Sequence, residues 1–539
     1  MPSHCCIMTM KKLLISCASK YIHSALAVWY LKAACPEYDV FECTVNEDIN
    51  KVFERITAQK PDILGFSCYI WNISYVKRLT EMIREALPHA IIIYGGPEVS
   101  HSPERFSHLA DHIVVGYGER ALRELTDAIE TGEKPEQIIK GYLYELPPSP
   151  YNEEYMSALN GRIAYIETSR GCPFSCAFCL SGRDEKPYFF PLERAFDDIV
   201  KLSHSGAKTI KFVDRTFNAN ADRAYKIWEF LLNDDRLPQD ICWHFEIGAD
   251  LLTEKQLELL KTAPKGRFQM EIGLQSFNDS TLKAVNRATS VDNSVYNIGV
   301  LVDNSNIHLH TDLIIGLPHE DMESFRISFN KAYALRANML QVGFLKLLYG
   351  SRLRNDMEKY SMECDENAPY EIKKFDLMDE NELSLLHRFE DIVERMHNSG
   401  RFLRTIDFLL EKTQMTPFDL FIHIAKGVNY ENGCQLDHFT ALVYDLFKDF
   451  GQEMRDVLVL DRLESNNTGV LPECLKIYDK ALGKAKKAVD AIHPRLHNTV
   501  RGYALLYGCN SVAFCDYTHA DEITGRYTAK VISLNMLNN

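Results

Sequence analysis

The chain of 539 residues lacks any apolar run of the roughly 18 to 20 residues that a membrane span requires. Its start, "MPSHCCIMTMKKLLISCASK", offers only the short run "LLISCA" after two lysines, and "CASKYIHS" interrupts it. A signal peptide is therefore not expected, and "KKLLIS" reads as a first strand. Basic residues are in deficit: 60 Lys and Arg stand against 75 Asp and Glu, a net charge of -15. Such a surface repels phosphate backbones, so a nucleic-acid partner is not expected unless the fold gathers a basic patch, and the lack of a long apolar run gives no expectation of a membrane partner. Internal repeats, low-complexity tracts and a G-x-G-x-x-G nucleotide fingerprint are all absent. The 15 cysteines are scattered through a long chain rather than crowded into a small one. Without a secretory signal, that distribution points to a reducing cytoplasm instead of a disulfide framework.

What is present is alternation. The length alone implies two to four domains. Residues 11 to 143 read as strand and helix in turn: "KKLLIS", "DILGFSCYI", "AIIIYGGP" and "HIVVGYGE" are continuous apolar strands, separated by amphipathic helices. That pattern indicates a parallel sheet covered on both faces. Glycines follow the strands in "YGGPE" and "VGYGE"; they either admit a ligand at the strand ends or only make tight turns. The proline-rich stretch 144–162 reads as a linker. A second series follows, with strands expected at 163–168, 209–214, 242–247, 268–273, 308–316 and 340–348. From about 365 the periodicity becomes helical, ending in a short hairpin or a few strands. The expected fold class is α/β: an N-terminal Rossmann-like doubly wound domain (11–143), a linker (144–162), a central partial (β/α)6 TIM-like barrel (163–362) and a mainly helical C-terminal domain (363–539).

One stretch, "TSRGCPFSCAFCLSG", places Cys172, Cys176 and Cys179 in a C-x3-C-x2-C array directly after a barrel strand. Four thiolates would fill a zinc site or saturate an iron–sulfur cluster; three leave one corner free. No second C-x2-C pair exists, and the nearest downstream histidine, His204, falls on a predicted helix. The spacing therefore points to a [4Fe–4S] cluster with one open iron, at the carboxyl-end face where a barrel carries its chemistry. Strand periodicity adds polar residues to the interior. Gln269, Glu271 and Gln275 share one face of their strand, His244 and Glu246 one face of another, and His308, His310 and Asp312 one face of a third. Carboxylates there must meet ligands or one another, because a buried unpaired one is costly.

C-x3-C-x2-C with Phe178 before the last cysteine resembles the signature of radical S-adenosylmethionine (SAM) enzymes. "IETSRGCPFSCAFC", "FEIGADLLT", "MEIGLQSFNDSTLKAVNR" and "TDLIIGLPHEDMESF" resemble the methylthiotransferase and coproporphyrinogen-oxidase branches over about 163–350. The resemblance implies that the open iron chelates SAM, whose reductive cleavage gives a 5′-deoxyadenosyl radical. By position it also implies SAM contacts at Phe178, Asp214, Glu246, Glu271, Gln275 and Gly316, although "VDRTFN" replaces the family's glycine-rich motif at Asp214. His244, His310 and Asp312 are candidates to orient substrate or take a proton.

The preceding α/β domain resembles the cobalamin-binding domain of cobalamin-dependent radical SAM enzymes. The loops "GFSCYIWN", "YGGPE" and "VGYGER" carry that likeness, and they imply a cobalamin cradle at Ser67, Gly95, Gly96, Gly116 and Gly118. The D-x-H-x-x-G motif that supplies a histidine to cobalt elsewhere is absent; the resemblance then implies a non-ligating residue below cobalt, and Tyr21 and His23, in the loop after the first strand, are the candidates for it. The C-terminal region resembles an uncharacterised extension, and its loosely spaced Cys434, Cys509 and Cys515 read as ordinary cysteines. These likenesses imply a cobalamin-dependent radical SAM methyltransferase working anaerobically on a small-molecule or peptide substrate. They also imply an electron donor of flavodoxin or ferredoxin type. Rival readings are ring contraction or cyclisation without methyl transfer, a methylthiotransferase-like RNA modifier, and a non-enzymatic cobalamin or redox sensor.

Overall fold

The computed structural model describes residues 10–143, 145–182, 186–430, 433–495 and 499–537. Two compact units result. One takes the chain through Ile247 together with Val285–Ala288 and Leu345–Lys373; the other takes Gly248–Ala284, Thr289–Phe344 and the chain from Lys374 onward.

The first unit opens with a parallel sheet of β1 (Lys12–Ala18), β2 (Asp39–Thr44), β3 (Ile63–Ser67), β4 (Ile91–Gly95), β5 (His112–Gly116) and β6 (Ile138–Gly141), in the order β2-β1-β3-β4-β5-β6. Helices Leu26–Ala34, Ile49–Thr57, Ile73–Ala86 and Gly118–Glu130 connect them. All five residues of β3 are buried, as a strand covered on both faces requires. Ile15, Leu64 and Ile92 from the sheet pack with Val52, Ile56, Val76, Leu79 and Ile83 from the helices. The strand order reverses between β1 and β3, so the loops leaving their carboxyl ends diverge and open a crevice. The stretch 145–162 is less irregular than its prolines suggest. Asn152 accepts a hydrogen bond from Tyr155 N and caps a helix, Glu153–Leu159, whose Tyr155 packs edge-on to Trp29.

The same unit continues with β7 (Ala164–Ile166), a two-residue ladder of β8 (Ser169–Arg170) and β9 (Tyr188–Phe189), then β10 (Thr209–Phe212) and β11 (Cys242–Ile247). β10 pairs in parallel with β7 on one side and β11 on the other. Their apolar face meets the helix Ala221–Asn233, where Phe212, Phe217, Trp228 and Phe245 form a closed aromatic group; the Phe212 and Phe245 rings stack 4.7 Å apart.

In the second unit β12 (Phe268–Gln275), β13 (His308–Ile315) and β14 (Met339–Phe344) run parallel. β12 alternates as its sequence demands, with Phe268, Met270, Ile272 and Leu274 buried and their neighbours half-buried. The C-terminal helices pack against Met322–Ala334 through interleaved rings: Phe325 and Phe329 meet Phe389 and Phe418, and Phe329 also meets Phe421. A π turn, Glu394–Asn398, aims Asn398 at β14, where its side chain both accepts from Leu340 N (2.9 Å) and donates to Leu340 O (3.1 Å). Buried Asp461 accepts from Thr405 N and Oγ1, and Arg404 and Arg526 both reach Glu464. An antiparallel sheet of Arg501–Leu506, Ser511–Asp516 and Ala529–Ser533 completes this helix-rich region. Cys515 is buried in that sheet while Cys509 is exposed beside it. Among the described residues no helix is long and apolar enough to cross a membrane.

Phe245 is fully buried at the centre of the aromatic group. Phe245→Ala should lower stability by about 3 to 5 kcal/mol. A urea titration followed by tryptophan fluorescence should show an earlier first transition. An unchanged profile would mean that the group does not brace this half of the barrel.

Candidate active site

The three thiols leave β7 on one loop, and that loop is held from several directions. Ala177 N donates to Val285 O and Leu353 N donates to Ala177 O, each at 2.8 Å. Asn286 Nδ2 donates to Ser175 O and Oγ at 3.1 and 2.7 Å. At the far end, a Cβ on residue 182 would lie 1.6 Å from Phe174 O, so only glycine lets the loop close. Cys176 is buried, while Cys172, Phe178 and Cys179 are half-buried. Burial pushes the Cys176 thiol up; the Arg287 guanidinium, 3.7 Å from its Sγ, works against that. Thr216 Oγ1 lies 3.5 Å from Cys172 Sγ, and Ser181 N donates to Cys179 Sγ. Cation, hydroxyl and amide around three sulfurs suit thiolates, the form that ligates metal. The set fits an iron–sulfur cluster held by three cysteines.

Asp214 stands two residues past the end of β10. It is 2% exposed, and both its oxygens are engaged: Oδ1 by Thr168 Oγ1 (2.8 Å) and Ser169 Oγ (2.5 Å), Oδ2 by Thr168 N (3.0 Å). Burial raises its pKa, and the hydrogen bonds from Ser169 and Thr168 oppose the rise. Asp214 therefore braces the exit of β7 into the thiol loop. Next to it, Arg170 reaches Glu119 at 2.6 Å and Glu167 at 2.9 Å, with Tyr30 and Tyr117 rings about its guanidinium. Burial lifts Glu167 to about 7 against the pull of Arg170.

In the second unit, His310, Glu271 and Asp312 come together. His310 Nε2 stands 2.7 Å from Asp312 Oδ1, and its Nδ1 stands 3.7 Å from Glu271 Oε2. Gln275 ends β12 with φ +69° just past a bulge at Leu274, a conformation rare for a residue with a side chain. Gly316 follows β13 at φ +91°. His244 is buried and Glu246 half-buried on β11, in the first unit.

The loops at the carboxyl edge of the N-terminal sheet present aromatic surface. Tyr21 is 61% exposed and Trp71 52%, and Trp71 stacks on Tyr69 at 4.3 Å. Large exposed apolar groups gathered at a crevice suit a broad, largely apolar ligand. Fully buried Asn72 sets the crevice edge: it accepts from Tyr69 N and donates to Cys17 O and Ser67 O. Ser67 itself is buried, its hydroxyl on Ile15 O. At Gly96, with φ +108°, a Cβ would lie 2.6 Å from Cys68 O, so the chain's own packing already demands glycine there. His23 Nδ1 lies 2.6 Å from Tyr165 Oη, which turns this histidine toward β7, while Tyr21 accepts from Asn160 Nδ2 at 3.2 Å. The loop after β4 is tied down through Glu98, which takes the Tyr370 hydroxyl and pairs with Arg105 at 3.5 Å. Arg105 and Arg354 lie on the Tyr349 ring at 3.5 and 3.6 Å.

Compared with known families, residues 12–126 match the B12 binding domain, 166–332 the Radical SAM superfamily, and 358–506 a Protein of unknown function (DUF4080). The chain carries a B12-binding domain and a radical SAM domain. It is 25% identical over 306 residues to the cobalamin-dependent radical SAM methyltransferase TokK of Streptomyces tokunonensis, covering 50% of this chain and 44% of that protein. It is 24% identical over 338 residues to the anaerobic magnesium-protoporphyrin IX monomethyl ester cyclase of Rubrivivax gelatinosus, covering 56% and 60%. Both alignments span less than two thirds of the relative's length. Among solved structures, the cobalamin-dependent SAM radical enzyme OxsB superposes with TM-score 0.59 at 15% identity, covering 84% of this chain and 79% of that one. These two domains call for a [4Fe–4S] cluster, SAM and cobalamin.

Sequence reasoning missed Arg287, Thr216, Asn72 and the Arg170–Glu119 pair. Arg287 lies inside the quoted motif "KAVNR", but nothing in its spacing links it to Cys176, 111 positions away.

For the radical SAM domain, single alanine changes at Cys172, Cys176 and Cys179 should each impair cluster assembly, and the triple change should abolish it. Anaerobic reconstitution followed by visible absorbance and iron analysis checks this. About four irons per chain in the triple variant would move the cluster elsewhere. For the B12-binding domain, His23 is committed to Tyr165, so cobalamin should bind with its own base displaced and no histidine on cobalt. Paramagnetic resonance of the cobalt(II) form should then lack axial-nitrogen superhyperfine splitting. Clear splitting, or no binding, would defeat the assignment.

Proposed function

We propose that the chain is a cobalamin-dependent radical SAM methyltransferase that methylates an unactivated carbon of a small-molecule or peptide substrate. The observation that carries this reading is Arg170. Two residues before Cys172, it ties Glu119 of the B12-binding domain to Glu167 after β7, so the thiol loop and the loop after β5 are held together within one compact unit. The names of TokK and OxsB support the same pairing of cofactors. When bound, cluster and SAM supply hydrogen abstraction and cobalamin supplies methyl transfer.

The chain's own contribution is to hold, orient and exclude. Cys172, Cys176 and Cys179 would hold the cluster, with Arg287 offsetting the cost of a buried thiolate at Cys176. Phe178, Asp214, Glu246, Glu271, Gln275 and Gly316 would contact SAM. Tyr21, Ser67, Gly95, Gly96, Gly116 and Gly118 would border cobalamin, Ser67 through its backbone because its hydroxyl is turned inward. His310, 2.7 Å from Asp312 through Nε2, would hold a proton there, and His244 would orient substrate from β11. A reductant of flavodoxin or ferredoxin type and a reducing cytoplasm complete the setting; all 13 described cysteines are free thiols.

Anaerobic incubation with a strong reductant, methyl-deuterated SAM and a cell extract tests the reading. Methyl transfer should give roughly equal S-adenosylhomocysteine and 5′-deoxyadenosine, plus a product carrying the label. The likeness to the anaerobic cyclase favours one alternative, cobalamin-assisted ring formation without methyl transfer. It would take over if 5′-deoxyadenosine formed with no S-adenosylhomocysteine and no labelled product.

A further inference from the structure

The polar inner face of the first unit carries an unmatched cation. On β10, Ile210 and Phe212 are buried, and Phe212 stacks within the aromatic group under the helix Ala221–Asn233. Lys211 lies between them and points to the opposite, inner face. There it is half-buried and in register with Tyr165 of β7 on one side and His244 of β11 on the other. Lys211 stands three residues, about 10 Å of strand, before Asp214 and the thiol end.

Other low-exposure cations of this unit have partners, Arg223 through the carbonyls of Phe190 and Thr168 and the rest through carboxylates. Lys12 pairs with Glu130, Arg162 with Glu42, and Arg170 with Glu119 and Glu167. Glu167, two residues beyond Tyr165 on the same face, is thus already matched. Among the described residues no carboxylate pairs with Lys211 and no hydrogen-bond acceptor engages it, while its charge acts on His23. Burial, then the charges of Lys211 and Lys20, hold the His23 pKa down, so the Lys211 field is felt as far as the far side of Tyr165. A partly desolvated ammonium with no countercharge is unfavourable unless something anionic arrives to meet it. An anion seated there would gain a charge-assisted hydrogen bond that the chain itself does not supply.

We propose that Lys211 is the anchor for an anionic group, carboxylate or phosphate, on the substrate, between Tyr165 and His244 inside the barrel. This deepens the proposed function by giving the substrate class, and it rests on that reading only in assuming a separate substrate.

Reductive 13C-methylation of the full-length, cluster-reconstituted chain keeps each lysine charged and gives it an NMR resonance; the peak missing from the K211R variant belongs to Lys211. That peak should shift on adding millimolar acetate or inorganic phosphate but not chloride, and the anion giving the larger shift identifies the group. A peak indifferent to both anions overturns the proposal. So does one that moves with SAM alone, which would place the lysine in the cofactor pocket. Because the readout needs no turnover, it can fail while methyl transfer is observed, or hold while methyl transfer is absent. With the labelled substrate in hand, K211M should raise KM by roughly tenfold or more, the worth of one charged hydrogen bond, and leave SAM binding unchanged.

Discussion

The charge triad of Arg170, Glu119 and Glu167 sets the geometry on which both cofactor-bearing loops depend. A guanidinium taken out of water must be matched in full, and this one is matched from two directions at once. Removing Arg170 would leave both low-exposure carboxylates without their shared cation, at a cost of about 3 to 5 kcal/mol, whereas an exposed pair would lose little. The loop after β5 and the thiol loop are thus spaced by electrostatics rather than by a flexible tether. The loop after β4 is fixed in the same spirit but with different groups. Glu98 is buried and its pKa raised by that burial, against the pull of Tyr370 and Arg105. Two guanidiniums also share the Tyr349 ring. Loops that must cradle a large ligand are usually the mobile part of such a sheet; here both strand-end loops with paired glycines carry an anchor one or two residues further on.

Much of this was legible from the sequence because it is periodic or local. The alternation in "FQMEIGLQ" fixes which residues are buried, and the three thiols announce themselves by spacing. The parallel sheet of residues 11–143 follows from continuous apolar strands. What was not legible joins distant positions or hides under composition. Glu98 and Tyr370 are 272 positions apart, and Arg287 and Cys176 have no periodic relation. Prolines around 144–152 masked a capped helix. Asp214 was placed correctly at a strand end, but a carboxylate there can face a ligand or its own loop. Only the positions of Thr168 and Ser169 decide. His23 and Tyr21 looked equivalent in the sequence; the hydroxyl of Tyr165, on a strand 142 positions away, separates them.

The inner and outer faces of the first barrel strands divide their labour. The outer face is closed by aromatic rings and tolerates no guest. The inner face mixes Tyr165, Glu167, Lys211, His244 and Glu246 with no apolar filling between them in register. That contrast makes the interior a place for chemistry.

The interleaved phenylalanines of the second unit bear on how this architecture could have arisen. Phe325 and Phe329 belong to the radical SAM domain and Phe389, Phe418 and Phe421 to the region after it, yet their rings form one apolar block. Asn398 also satisfies the backbone of β14 as a neighbouring strand would. A barrel deprived of the downstream helices would show water a greasy helix and an open strand edge, an invitation to clump. The downstream region is therefore part of the barrel's wall, and lineages that gained or shed it would have had to redesign that wall in the same step.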